Sequence, residues 1–502
     1  MRKVEYNHTT LDKLPIALSL YLANVFDFPE LETRDLLISR FVSLKDELIA
    51  VYEYPYVDKL YRDTYYNYFS VKHKSYYRNC VRISFFKSDF DISRLMTYQY
   101  VQGDECLGFI CIRPKFPNIF GRGVLSPQAL KVSNFEVCGM EVDVLIKGAR
   151  FKFKGFPFTS QDKEYMVCAE TAIWETVEYF GNKYPEYRTI LPSEIIKILS
   201  TFSDQRDVPS HGLHANQISY VLKRLGFDVR MYSRSSYELD NPPYSNFFKT
   251  LQYYVASAMP VIGILKSKAN TDDRHAVLYI GYAKPSFNDI KDDIYSEPNG
   301  RIMEYADLID RYIICDDNRL IYQFANFSIH GGNPGYKYLS YYPTNNEGKI
   351  YELDTIIVTL PHRVYLEAVE AKEFIQAVVK EPEMGIENRS EMILKTFFTT
   401  SKSFKNWIVK SGTIDIRVKE LIINTAMPKF VWIGELSTQS LIQSDKANGL
   451  IVIDATQPEV SFADSLLFVW ASNIIWYHNT KGTLDTLQET ISAEFKSYKN
   501  FN

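Results

Sequence analysis

Only six cysteines occur in the 502 residues of this chain, with no CxxC pair and no regular spacing among them. That scarcity excludes a disulfide framework and paired-cysteine zinc sites, and it fits a reducing compartment. Long blocks of one charge are missing too. The 57 basic and 61 acidic residues are interspersed and leave a formal net charge of −4. No polyanion-binding tail follows from that pattern, and nucleic acid is not an expected partner. No apolar run reaches the roughly 18 residues of a membrane helix. The strongest candidate, "SLLFVWASNIIWYHN", is broken by Ser472 and Asn473 and reads as two adjacent strands. Glu5 and Asp12 interrupt the opening stretch and no small-residue cleavage site follows, so no signal peptide is predicted. The loop "GRGVL" lacks the lysine and the strand-to-helix context of a phosphate cradle. These absences leave a cytoplasmic chain with no expected membrane segment and no expected cofactor.

With 46% hydrophobic and 15% aromatic residues, the chain has ample material for cores, and its length predicts two or three of them. Changes of pattern divide it into residues 1–152, 153–365 and 366–502. The first part opens helically with "ETRDLLISRFVSLKDELIAVY". It then turns to alternating strands such as "NCVRISFF" and "FEVCGMEVDVLIKGARFKFKGF", with Gly103, Gly139 and Gly148 as turn signals. The middle part runs through four helices, the later ones being "PSEIIKILSTF", "ANQISYVLKRLG" and "NFFKTLQYYVASAM". Strands "PVIGIL", "HAVLYIGYA", "RYIICDD" and "KIYELDTIIVTLP" follow. Helices first and strands afterwards predict an α+β fold rather than a doubly wound sheet. The last part is expected to repeat that style, with helices "VYLEAVEAKEFIQAVVK" and "SEMILKTFFTT" ahead of strands "KFVWIGEL" and "GLIVIDAT".

One stretch carries chemistry: "QDKEYMVCAETAIWETVEYF", residues 161–180. Ala169, Ala172, Ile173, Thr176, Val177 and Phe180 fall on one stripe at helical spacing, and Gly181 is expected to cap the helix. Cys168 therefore stands in the first turn, where unpaired amides and the helix dipole favour an anion and make a thiol nucleophilic. Gln161 lies on the entering loop, from which its amide can point toward the Cys168 backbone N–H. Two such donors suit the oxyanion of acyl transfer. The other five cysteines lie in strand patterns or beside turns and read as core residues.

A thiolate needs a proton acceptor, and among eight histidines His275 stands apart. It opens the strand "HAVLYIGYA" after a polar loop and follows a buried strand that would carry it past the Cys168 helix. The next strand, "RYIICDD", ends in Asp316 and Asp317, either of which could hold the far nitrogen of the imidazole. Successive strand residues face opposite ways, so only one should reach it, and Asp316 is the choice. The "SHGLH" pair, His211 and His214, lacks the i, i+4 helical geometry of a zinc site and has no companion ligands, so no metal is expected.

The order Gln161, Cys168, His275, Asp316 resembles that of the papain-like cysteine peptidases, especially the bacterial branch related to bacteriocin-leader-processing peptidases. The matching features are a glutamine shortly before a helix-opening cysteine, the segment "SHGLHANQISYVLKRLGF", and a histidine opening "HAVLYIGY". "CGSCW" is absent and "DDNRL" stands where that branch has aspartate followed by proline, which leaves Asp317 as the alternative third residue. The resemblance covers about 200 residues and implies a bacterial thiol peptidase domain at 153–365. It implies a Cys168 nucleophile, a His275 base, an Asp316 orienter and a Gln161 oxyanion donor acting on a peptide or protein substrate. Transglutaminase- or deamidase-like acyl transfer at the same site, or a silent peptidase-like binding module, are the alternatives. The flanking parts, rich in tyrosine and aromatic strands, are expected to recognise a protein partner.

Overall fold

The computed structural model describes residues 3–97, 102–202, 212–237, 246–270, 272–285, 302–329, 337–341, 350–386, 391–471, 474–478, 483–488 and 494–501. His211 of the "SHGLH" pair lies outside them. Helices and largely antiparallel sheets give the expected α+β class. The first sheet runs Glu5–Thr10, Ile49–Tyr56, Cys80–Phe86, Cys106–Ile112, Phe120–Leu125, Ala149–Phe158 and Gln102–Gly103. Met140–Ile146 also pairs with Ala149–Phe158. Its strands Cys80–Phe86 and Cys106–Ile112 are buried at every position, so Arg82 and Ser84, which gave the first of them its alternating look, are inside as well.

The second sheet runs Asp228–Ser233, Tyr351–Leu360, Val261–Ser267, Arg274–Ala283, Arg311–Cys315, Gln323–Ile329 and Lys337–Tyr341. Tyr351–Leu360 pairs again with Lys337–Tyr341, through Ser340 with Glu352 and Tyr341 with Tyr351, so six of these strands close into a ring. Closure pairs both sides of the ring strands, and Asp228–Ser233 stays outside the ring, paired only with Tyr351–Leu360. The third sheet runs Met303–Glu304, Ile393–Thr400, Phe430–Ser437, Gly449–Asp454, Leu466–Ala471, Ile474–His478 and Leu484–Gln488. The stretch 390–400, expected as a helix, supplies the strand Ile393–Thr400, paired along its whole length with Phe430–Ser437. Its Ile, Phe and Thr content suits a pleated surface better than a helix. Near the N-terminus the expected long helix stops at Phe41, and Ile49–Tyr56 is already a strand.

The sheets exchange strands. The 152/153 division falls inside Ala149–Phe158, which is integral to the first sheet. Phe135–Val137, from the same N-terminal segment, pairs with Gly281–Ala283 of the second sheet. Met303–Glu304, from the middle segment, lies parallel to Ile393–Leu394 in the third.

The helix Cys168–Lys183 packs between the first and second sheets, against Ala149–Phe158 and Arg274–Ala283. Every residue from Ala169 to Phe180 is buried, so the expected apolar stripe is only half of the contact surface. Burying Ile173, Val177 and Phe180 stabilises the packing by roughly 1.5–3 kcal/mol each. Polar groups on the other face find partners: Trp174 Nε1 donates to the Ile190 carbonyl at 3.2 Å, and Lys59 pairs with Glu178 at 2.6 Å. Gly181 is not the cap. The helix continues to Lys183, and a Cβ on Gly181 would stand 2.6 Å from the Thr189 backbone nitrogen, so the glycine admits a close backbone passage. Among the described residues no helix is long and apolar enough to cross a membrane.

Candidate active site

The loop entering the Cys168 helix is tied by one buried side chain that sequence reasoning passed over. Asp162 Oδ1 accepts from the backbone N–H groups of Glu164, Tyr165 and Met166 at 2.9, 2.7 and 3.1 Å, and the Asp162 N–H donates to the Met166 carbonyl at 3.0 Å. This aspartate-centred turn delivers the chain in extended form at Val167 and starts the helix at Cys168 without any side-chain cap. Gln161 sits one residue before the turn. Its backbone carbonyl accepts from Arg113 at 2.9 Å, and its Nε2 donates to Asn318 Oδ1 at 2.7 Å.

Strand register places the other half. Leu278 pairs with Cys315, and carrying that antiparallel register one residue further sets Asp316 beside Val277, two residues from His275 and on the same face. His275 Nε2 and Asp316 Oδ1 are 2.9 Å apart, whereas Asp317 Oδ1 is 3.8 Å from the same nitrogen. Asp316 is held from three further directions. The Tyr341 hydroxyl donates to its Oδ2 at 2.6 Å, and Asn318 donates to its Oδ1 from its backbone N–H at 3.0 Å and its side chain at 3.3 Å. With Nε2 engaged by Asp316, Nδ1 is the nitrogen left for Cys168, whose side chain helps hold the proton on the imidazole. Asn318 thus joins the loop to the strand: it accepts from Gln161 and donates to both Asp316 and Asp317.

All four expected residues therefore belong to one connected cluster, to which the structure adds Asn318, Tyr341 and Asp162. "CDDN" hinted at Asn318, since a side-chain amide one or two residues after an aspartate often bonds back to it. Tyr341 had no local signal. Cys168 is the only partly exposed cysteine, the other five being buried, as expected for core residues.

Burial disfavours the charged form of His275, yet the Asp316 carboxylate and then the Cys168 contact outweigh it, and the imidazole's pKa stands well above its ordinary value. Burial likewise opposes ionisation of Asp316. The imidazole, the Tyr341 hydroxyl and the Asn318 N–H overcome it, so this carboxyl lies below the usual range. Asp317 goes the other way: burial, together with the Asp316 charge, pushes it up to about 8 despite His275 and Arg40. The adjacent carboxyls are therefore driven apart, one ionised and one protonated at neutral pH.

Ligand atoms of His275, Asp316 and Asp317 lie within 4.8 Å of one another, close enough for a cation. Both Asp316 oxygens are already engaged by protein donors, however, and the arrangement suits a hydrogen-bonded relay. A cavity of about 280 Å³ between Glu136, Lys284, Lys395, Glu435 and Lys499 shares no residue with this cluster. No family model matches the chain, and no curated protein does.

Proposed function

We propose that the chain is a papain-like cysteine hydrolase that cleaves a peptide or isopeptide bond. What supports the reading is the meeting of Cys168 at a helix start with the His275–Asp316 pair at 2.9 Å. In this reading the Cys168 thiolate attacks the substrate carbonyl, and His275 donates its proton to the departing amine. Water, losing a proton to His275, then hydrolyses the thioester. Asp316 orients the imidazole through Nε2, which turns Nδ1 toward the sulfur. Gln161 Nε2 has two hydrogens, one given to Asn318, and the second joins the Cys168 N–H as oxyanion donor. The substrate is a peptide or a segment of a protein.

Limiting iodoacetamide near pH 6 on the full-length protein, followed by peptide mass mapping, tests the reading. Burial pushes the thiols of Cys106 and Cys138 up to about 12, and those of Cys80, Cys111 and Cys315 well above the ordinary value. Cys168 should be labelled first and almost alone, with or without a chelator. Uniform labelling, or none, would sink the thiol-hydrolase assignment.

A further inference from the structure

The outer parts of such a chain invite the reading that they only recognise substrate, but buried cations of the N-terminal segment reach the reaction centre. Arg40, on the helix Glu30–Phe41, is 6% exposed. Its guanidinium lies 4.7 Å from the centre of the Phe120 ring and donates to Ser160 Oγ, next to Gln161 in sequence. Arg113 grips the Gln161 carbonyl at 2.9 Å, and Lys115 donates to the Asp162 carbonyl. The segment Ser160–Asp162 that presents Gln161 is therefore held by three cations from the first 115 residues.

Charge makes Arg40 the telling one. Its buried guanidinium lies in the field of the Asp316 carboxylate, with Arg113 as the neighbouring cation. From the Cys168 helix, Glu175 faces Asp317 and Asp316, but burial pushes its carboxyl well up, away from the charged form. Burial draws Arg40 down to about 10, which leaves it charged at neutral pH. If Cys168 and His275 carry the thiolate and imidazolium, Asp316 adds a second buried negative charge with Asp317 protonated. An unbalanced buried charge is costly, and the imidazolium cannot neutralise both anions.

We propose that Arg40 is a positioning residue of the site: buried and bonded beside Gln161, it supplies the positive charge that balances the Asp316 carboxylate behind His275, so the N-terminal segment completes the reaction centre. The inference rests on the thiol-hydrolase reading above. Arg40 touches neither substrate nor sulfur in this scheme. It lets a thiolate, an imidazolium and the Asp316 carboxylate coexist in a dry setting at zero net charge.

The test is the rate of Cys168 alkylation by iodoacetamide between pH 4 and pH 10, mapped by mass on full-length wild type, Arg40→Met, Arg40→Gln and Arg40→Lys. Removing a positive charge disfavours the thiolate and strengthens the hold of His275 on its proton, so both limbs of the profile should move to higher pH. For a unit charge on the order of 10 Å away at an effective dielectric of about 20, the movement is about one pH unit, or a tenfold slower reaction on the acid limb. Arg40→Lys should restore most of the wild-type profile because it keeps the charge. Arg40→Gln, which keeps an N–H for Ser160, serves should Arg40→Met fail to fold. Thermal midpoints measured alongside separate lost folding from a moved profile. A folded Met or Gln variant with the wild-type profile would overturn the role of Arg40. Wild type without selective labelling of Cys168 would instead overturn the hydrolase reading itself.

Discussion

Replacing Asp316 by asparagine tests how the site is charged, because the amide can keep its contacts while losing the charge. Its oxygen can still accept from His275 Nε2 and Asn318, and its NH₂ can donate to Tyr341. What goes is a charge–charge attraction across 2.9 Å, worth about 6 kcal/mol at an effective dielectric of about 20. At 1.36 kcal/mol per pH unit that is at most about four units, and since the amide dipole retains part of the attraction, about one to two is the expected fall in the imidazole's pKa. Burial, which already opposes the charged ring, then has less to overcome. The alkaline limb of the turnover profile should move toward neutrality by that amount, with about 10- to 100-fold lower turnover at pH 8, while Cys168 remains alkylable. Asp317→Asn should cost less than about threefold, because a carboxyl pushed up to about 8 is already mostly protonated at pH 7. Turnover on a peptide substrate against pH, with both variants in parallel, is the measurement. An unmoved alkaline limb in Asp316→Asn, or a larger loss in Asp317→Asn, would refute the assignment of Asp316 as the partner of His275.

Gln161→Ala removes one oxyanion donor and the link to Asn318, so kcat should fall about 10²- to 10³-fold with a smaller change in KM; wild-type turnover would remove Gln161 from the site. Asp317 also predicts a stability profile. Its folded-state pKa is raised from 3.8 to about 8, so the folded protein holds a proton that the unfolded chain releases, and stability should be lost as pH rises from about 4 to about 8. Asp317→Asn should flatten that decline in urea midpoints measured at pH 5 and pH 9, and an unchanged slope would show that Asp317 does not titrate as argued.

The parts of this site that lie on regular elements were legible from residue order alone. Helical spacing from Ala169 to Phe180 fixed Cys168 at a helix start; strand alternation predicted one aspartate for His275 without deciding which, and the separations from His275 Nε2 are 2.9 Å for Asp316, the chosen residue, and 3.8 Å for Asp317. The parts that depend on distant contacts were not. Arg40 is 120 residues from Ser160, and Tyr341 is 25 from Asp316, with nothing local to mark either as a partner. Gly181 misled because a glycine near a helix end usually caps it, whereas here it makes room for the backbone at Thr189. Residues 390–400 misled because a short apolar run fits either period until its strand neighbours are known.

The separation of these groups along the chain also sets a timetable. Cys168 precedes His275 by 107 residues and Asp316 by 148, and the strand Tyr351–Leu360 that closes the ring comes later still. At a synthesis rate of about 5–20 residues per second, Cys168 leaves the ribosome roughly 5–20 s before His275, the base proposed for it. Arg40 and the Asp162 turn, by contrast, are made before or beside the nucleophile. On the proposed reading, a growing chain therefore has the bracket for its sulfur well before it has a proton acceptor, and a truncated product ending before residue 275 would lack both His275 and Asp316.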